Sequence, residues 1–139
     1  MIKKMLSDSD IQLTYPVMNQ LRTHVSADEY LGRVKRQSQA GGYQLAALLV
    51  DGQVRCVAGY RISEGLCWGK FLYVDDLVSD QNDRSKNYGK EMMAWLVAEA
   101  KANGCREFHL DSGVQRHGAH RFYLRERMDI TCYHFAMKI

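Results

Sequence analysis

At 139 residues the chain is long enough for one packed core and too short for two, so it reads as a single domain over 1–139. A formal charge of +3 with no basic block argues against nucleic acid as a partner, while leaving room for an anionic small ligand. No apolar run approaches the roughly 20 residues that span a bilayer, and the start MIKKMLSDSD lacks the apolar core of a signal peptide, so no membrane partner and a cytoplasmic location are expected.

A short strand is expected around Ile2–Leu6. Pro16 suits the first turn of a helix running to about Arg22, where its missing N–H costs nothing. Ser26-Ala27-Asp28-Glu29 has the form of a capping box, with the glutamate reaching back to the serine. Tyr30, Leu31 and Val34 then give the helix an apolar stripe, and Gly41-Gly42 stops it. From Tyr43 the period changes. Leu45–Val50 and Val54–Ile62 flank the hairpin signal Asp51-Gly52, and Gly59 marks a bulge or a close backbone approach. After a turn near Glu64-Gly65, Cys67–Val78 completes an antiparallel meander.

A helix starting near Gly89 carries Met92, Met93, Leu96, Val97 and Ala100 at helical spacing, a core stripe, and ends at Asn103-Gly104. Arg106–Leu110 is a short strand parallel to its predecessor, because a helix crosses between them. A helix from about Arg116 to Arg127 and a final alternating strand, Thr131–Met137, close the order. The elements give an α+β, mixed α/β, fold: a central mixed, mostly antiparallel sheet with helices on both faces. Cys56, Cys67, Cys105 and Cys132 form no CxxC pair and sit beside apolar residues, so all four are expected to be reduced and buried.

The chemistry concentrates between Phe71 and Val97. An apolar strand delivers Arg84-Ser85-Lys86-Asn87-Tyr88-Gly89-Lys90 onto a helix N-terminus. The first turn of a helix has N–H groups without intrahelical partners and a partial positive charge, and three cations flank it here, so the turn suits phosphate. Asp75 and Asp76 precede it on the strand. Successive strand residues face opposite sides, so only one of the two carboxylates is expected to reach a common site. His117 and His120 stand at i and i+3 on a helix, but no third ligand follows at a convincing spacing, so no metal is expected.

The turn Arg84-Ser85-Lys86-Asn87-Tyr88-Gly89, with Phe122-Tyr123 on the last helix, resembles the GNAT superfamily of N-acetyltransferases, whose turn reads Q/R-x-x-G-x-G/A. The element order from about residue 43 to 139 agrees with that superfamily. The block Arg116–Glu126, and asparagine at position 87 in place of the usual glycine, are similar to the aminoalkylphosphonate N-acetyltransferases. Arg127-Met128 depart from the superfamily's common Gly-Phe after that helix.

The resemblance implies a GNAT-like acyl-CoA N-acyltransferase fold and acetyl-coenzyme A as co-substrate. Arg84, Ser85, Lys86, Asn87, Tyr88, Gly89 and Lys90 would hold its pyrophosphate, and Leu77, Val78 and Ser79 would pair with the pantetheine arm. Tyr123 would protonate the departing thiolate, and Asp75 or Asp76 would accept the proton of the attacking amine. The implied function is acetyl transfer to a primary amine of a small molecule, and homodimers are common in the superfamily. The competing reading is an acyl-coenzyme A sensor without turnover.

Overall fold

The computed structural model describes residues 1–139, apart from the side chains of Arg84 and Ser85. It forms two compact units, Met1–His109 and Leu110–Ile139. In the first, β1 (Ile2–Lys4), α1 (Asp8–Leu21), α2 (Ala27–Gly41), β2 (Gln44–Val50), β3 (Gln53–Gly65) and β4 (Gly69–Ser79) follow in order. A 3-10 turn (Gln81–Lys86), α3 (Tyr88–Ala102) and β5 (Glu107–Leu110) come next, and α4 (His117–Arg125) belongs to the second unit. The sheet runs β1-β2-β3-β4-β5, with the first four strands antiparallel.

Alternation along the inner strands divides the core into two layers. Leu45 and Ala47 of β2, Val57 of β3 and Val78 of β4 point to one face, where Ile11, Val17 and Met18 of α1 and Tyr30 and Val34 of α2 cover them. Ala46, Leu48, Ala58 and Tyr60 point to the other face, and Tyr60 meets Trp95 of α3 edge-on at 6.1 Å. The stripe Met92, Met93, Leu96 and Ala100 is buried as its spacing predicts, with Val97 half-buried. Helices therefore flank both faces.

Three local expectations need correction. Pro16 lies inside α1 rather than in its first turn, because Ser7 starts the helix earlier through a reciprocal capping box with Asp10. Burial of Ile11, Thr14, Val17 and Met18 along one face offsets the hydrogen bond the proline removes. At α2 only half of the box forms: Ser26 Oγ accepts from the Glu29 N–H, while the Glu29 carboxylate turns to Arg33 one turn on. Of the cysteines, Cys56 alone is buried, Cys105 is half-buried, and Cys67 and Cys132 are exposed.

In the second unit, Thr131–Met137 forms no strand: residues 129–139 carry no regular element and are exposed throughout. A strand exists only through a ladder partner, and period-two patterning supplies one half of that requirement. Helix α4 ends more regularly than its sequence suggests. Arg127 takes φ 64°, its N–H donates to Leu124 O at 3.0 Å, and Met128 N–H donates to Tyr123 O at 3.1 Å, a Schellman motif. The left-handed position that normally carries glycine is filled by arginine. Arg127→Gly is accordingly expected to raise stability by about 1 kcal/mol, read as a higher denaturation midpoint at unchanged m-value.

Candidate functional site

The site is built on an irregularity in β4. Asp76 pairs with Gly59, yet the next pair toward the strand start is Val74 with Tyr60, so Asp75 is one residue too many. Such a bulge reverses the alternation on one side of itself. Gly59 shares its face with Leu45 and the α1–α2 layer, whereas Tyr60 and Val74 face α3. Asp75 and Asp76 are thereby turned toward the same face, and both line one cavity of about 300 Å³ between β4 and the α1–α2 layer. The expectation that only one carboxylate reaches the site is overturned, because strict alternation holds only for a regular ladder.

The two carboxylates are held differently. Asp76 is saturated: Oδ1 accepts from Arg22 Nε at 2.7 Å and Oδ2 from the Tyr43 hydroxyl at 2.7 Å. Arg22 also donates to the Asp75 carbonyl at 3.0 Å, fixing the bulge itself. Asp75 Oδ2 accepts from Arg61 Nε at 3.0 Å, while its Oδ1 has no hydrogen-bond partner among the described residues. Burial raises the Asp75 pKa above the usual carboxylate range, against the pull of Arg61. Burial and the Asp76 charge push the Tyr43 phenol well up, so it stays a donor.

Three elements position these groups. Gly59 makes room for Tyr43: a Cβ there would lie 1.9 Å from the Tyr43 hydroxyl oxygen and 2.4 Å from its Cζ. This is the close approach that the glycine in mid-strand signals. Tyr30, on α2, stands in the cavity wall with its phenol pushed up to about 12 by burial. Its hydroxyl lies 2.7 Å from Thr14 Oγ1, which itself donates to Ile11 O at 2.6 Å, so α1 and α2 are tied behind the cavity. The loop between them is fastened by Tyr15 and Asn19, which donate to the Val25 carbonyl at 2.8 and 3.1 Å and leave Arg22 aimed at Asp76.

Beyond Ser79 the chain enters the expected phosphate turn. Leu77, Val78 and Ser79 pair with Ala58, Val57 and Cys56 on one side. On the other side β5 starts where the Arg106 N–H donates to Lys70 O at 2.7 Å, and its four residues are too few to reach Leu77 along the eleven of β4. The second edge of Leu77–Ser79 is therefore not covered by β5. Asn87 takes φ 60°, ψ 23°, the left-handed conformation that asparagine tolerates best after glycine, and its side chain makes no capping bond. The N–H groups of Tyr88, Gly89 and Lys90 consequently point out of an uncapped helix start, and Lys86 and Lys90 are exposed beside them. That geometry fits an anionic phosphate. Arg84 and Ser85 contribute backbone to the 3-10 turn, and their side chains lie outside the described residues.

Asp80, which sequence reasoning missed, anchors the turn. Its carboxylate accepts from Asn82 N–H and Gln20 Nε2 at 3.1 Å and from Arg55 Nη1 at 2.9 Å, and Gln20 Oε1 accepts from the Gln81 N–H at 2.9 Å. The signal in the sequence was an Asp-x-Asn start to a turn. The hydrogen bond from the Asn82 amide, then that from Gln20, hold the Asp80 pKa below its usual value. A lowered carboxylate contributes stability above its ordinary titration range and loses it as pH falls through the folded value. Asp80→Ala is expected to cost about 1 kcal/mol or more at neutral pH, with the gap to the parent narrowing under acid, measured by denaturation at stepped pH.

Tyr123 belongs to the second unit, half-buried on α4, where burial raises its pKa and keeps the phenol protonated. On the same helix the rings of His117 and His120 lie 6.2 Å apart, and His120 Nε2 is 2.8 Å from the Gly113 carbonyl. Among the described residues no three His, Cys, Asp or Glu side chains converge as metal ligands, and no helix is long and apolar enough to cross a membrane.

Comparison with known proteins bears on this arrangement. The chain is 34% identical over 130 residues, 94% of its own length and 91% of the relative's, to an uncharacterized N-acetyltransferase, YhdJ, of Bacillus subtilis (strain 168). It is 36% identical over 53 residues to an aminoalkylphosphonate N-acetyltransferase of Salmonella typhimurium (strain LT2), a match covering 38% of this chain and 34% of that protein. The crystal structure of a transcriptional regulator from Bacillus halodurans C-125 superposes with a TM-score of 0.87 at 15% identity, over 100% of this chain and 99% of that one, a likeness of fold. Residues 11–128 match the acetyltransferase (GNAT) family across both units. The chain belongs to that family and is an N-acetyltransferase.

Proposed function

We propose that the protein transfers an acetyl group from acetyl-coenzyme A directly to a primary amine of a small molecule, and that residues 1–139 work as one catalytic domain. The carrying observation is the pair of carboxylates turned into one cavity by the β4 bulge, one saturated and one with an open oxygen. A cavity of about 300 Å³ is the size of a small-molecule site. The family match spanning 11–128 supports a single functional domain, and a cytoplasmic location suits a metabolite reaction.

An alkylamine with a pKa near ~10.4 is almost entirely protonated at pH 7, and presenting it as free base costs roughly 4.6 kcal/mol. Asp75 is assigned as the base: its raised pKa reflects a carboxylate that gains by accepting a proton, and its Oδ1 is free to do so. Asp76, saturated by Arg22 and Tyr43, orients the bulge. Bound acetyl-coenzyme A supplies the thioester. The uncapped amides of Tyr88, Gly89 and Lys90, with Arg84, Ser85, Lys86 and Asn87, hold its pyrophosphate, and the free edge of Leu77, Val78 and Ser79 takes the amide-rich arm. Asp75 would take one proton from the bound ammonium. As the C–N bond forms and the C–S bond breaks, the thiolate would take the phenolic proton of Tyr123, and the nitrogen would shed its second proton to water, from which Tyr123 is reprotonated.

Acetyl-coenzyme A at about 100 times its dissociation constant should stabilise the fold by about 2.7 kcal/mol. Thiol release with a panel of amines reports turnover. No thermal shift with acetyl-coenzyme A would remove the reading, and a shift without thiol release from any amine would leave only the sensor.

A further inference from the structure

The cavity that holds Asp75 and Asp76 is not lined evenly. Its carboxylates lie deep, with the Asp76 side chain 13% and that of Asp75 26% exposed, whereas the Arg33 side chain is 48% exposed and His24 also reaches solvent. One end is acidic and inward, the other basic and outward. Met18, Val25 and Val34, all buried, supply apolar wall.

Helix α2 brings the outer cation there by spacing. Tyr30, Arg33, Val34 and Gln37 stand at i, i+3, i+4 and i+7, so one stripe of the helix meets the cavity. The Arg33 guanidinium is committed to little. Its Nη1 donates to Glu29 Oε1 at 3.2 Å, an i,i+4 pair exposed on both sides, and such pairs are weak and readily exchanged. His24, in the loop between α1 and α2, has no hydrogen-bond or ion-pair partner among the described residues. Gln37 Oε1 accepts from Arg61 Nη2 at 3.4 Å, which leaves its amide N–H groups as donors.

The inner carboxylates are matched one to one, Asp76 by Arg22 and Asp75 by Arg61. No surplus negative charge is left there for a second ammonium, and a polyamine would set its far cation against Arg33. An uncharged alkyl tail would leave the donors of Arg33, His24 and Gln37 without a ligand partner.

We propose that the acceptor amine carries an anionic group at its far end, a carboxylate or a phosphorus oxyanion, and that Arg33 selects it; the proposal rests on the acetyl-transfer reading and deepens it. The ammonium end enters toward Asp75 Oδ1. The anion stays at the mouth, where the planar fork of Arg33 takes two of its oxygens in place of Glu29, and His24 and Gln37 donate beside it.

Thiol release with a panel of acceptors tests this: ω-amino carboxylates from glycine to aminohexanoate, phosphoethanolamine, propylamine and diaminopropane. An anionic amine should exceed propylamine and the diamine in kcat/KM by about 10–100-fold. Whichever anionic series leads separates carboxylate from phosphorus oxyanion. Arg33→Gln should erase the preference through KM, with kcat for the anionic amine nearly retained, and Arg33→Glu should turn it toward the diamine. A parent that prefers propylamine or the diamine overturns the proposal and leaves acetyl transfer standing. A preference that survives Arg33→Gln, or a variant slowed equally with every acceptor, overturns the role of Arg33. No thiol release from any amine removes the acetyl-transfer reading instead, and calorimetric titration then decides the cavity. The anionic amines should bind the parent and not Arg33→Gln, and a parent that binds none of them overturns the proposal as well. The acceptor ranking of the parent stands even if a variant fails to fold.

Discussion

Asp75→Asn is expected to lower turnover about 10²–10⁴-fold while acetyl-coenzyme A still shifts the melting point. The amide cannot take up the amine proton, but it fills the same space and can still accept from Arg61 Nε. In the parent, activity should rise with pH along a limb lying above the ordinary aspartate range, because burial raises the Asp75 pKa, and the variant should lose that limb. Stability should move the other way. A carboxyl with a raised folded pKa favours the native state most at low pH and loses that contribution as pH rises through the folded value. At neutral pH the folded protein therefore holds an unfavourable charge at position 75, and the neutral variant should be no less stable than the parent. Turnover lost together with stability would mean that Asp75 is structural. Asp76→Asn should differ, since Asp76 serves two donors at once and its loss loosens Arg22 and Tyr43 before it touches the proton.

Gly59→Ala should be strongly damaging, costing about 3 kcal/mol or more. The new Cβ would stand 1.9, 2.4 and 2.7 Å from three atoms of the Tyr43 ring and hydroxyl, and Tyr43 is 3% exposed. Moving it breaks the 2.7 Å bond to Asp76 as well as the packing. Tm should fall by roughly 10 °C. Tyr43→Phe separates the two parts. It removes the hydroxyl but leaves Cζ, so Gly59→Ala should remain costly in that background and become milder only with Tyr43→Ala. Additive losses in the last pair would show that the ring is not what the glycine accommodates.

Much of this was legible in order along the chain. The Asp51-Gly52 hairpin, the Ser26 cap, the Gly42 stop and the α3 core stripe follow from local conformational preference and periodicity, which act within a few residues. The polar turn before α3 was legible for the same reason, since a helix start is a local object. Asn87 illustrates the limit. Its identity permits a left-handed backbone, and the φ of 60° shows that permission used. Pro16 was misread because its local cost is offset by burial of the α1 face, which belongs to the tertiary structure. Thr131–Met137 has a strand pattern but no ladder within its unit, and pairing is never encoded in one strand alone.

Composition, spacing and turn chemistry by themselves determined the α+β class, the order of elements from β2 to α4 and the polar turn that leads onto α3. They also placed two carboxylates beside each other just before it. Only the tertiary structure decided how those carboxylates are held. The register of β4 against β3 depends on residues far apart in sequence, and its slip at Gly59 and Tyr60 brings Asp75 to the face of Asp76. Arg22, Tyr43 and Arg61, from three different elements, then divide the pair into one saturated and one open group. Alternation is local physics; a bulge is a contest between two strands over which residues meet.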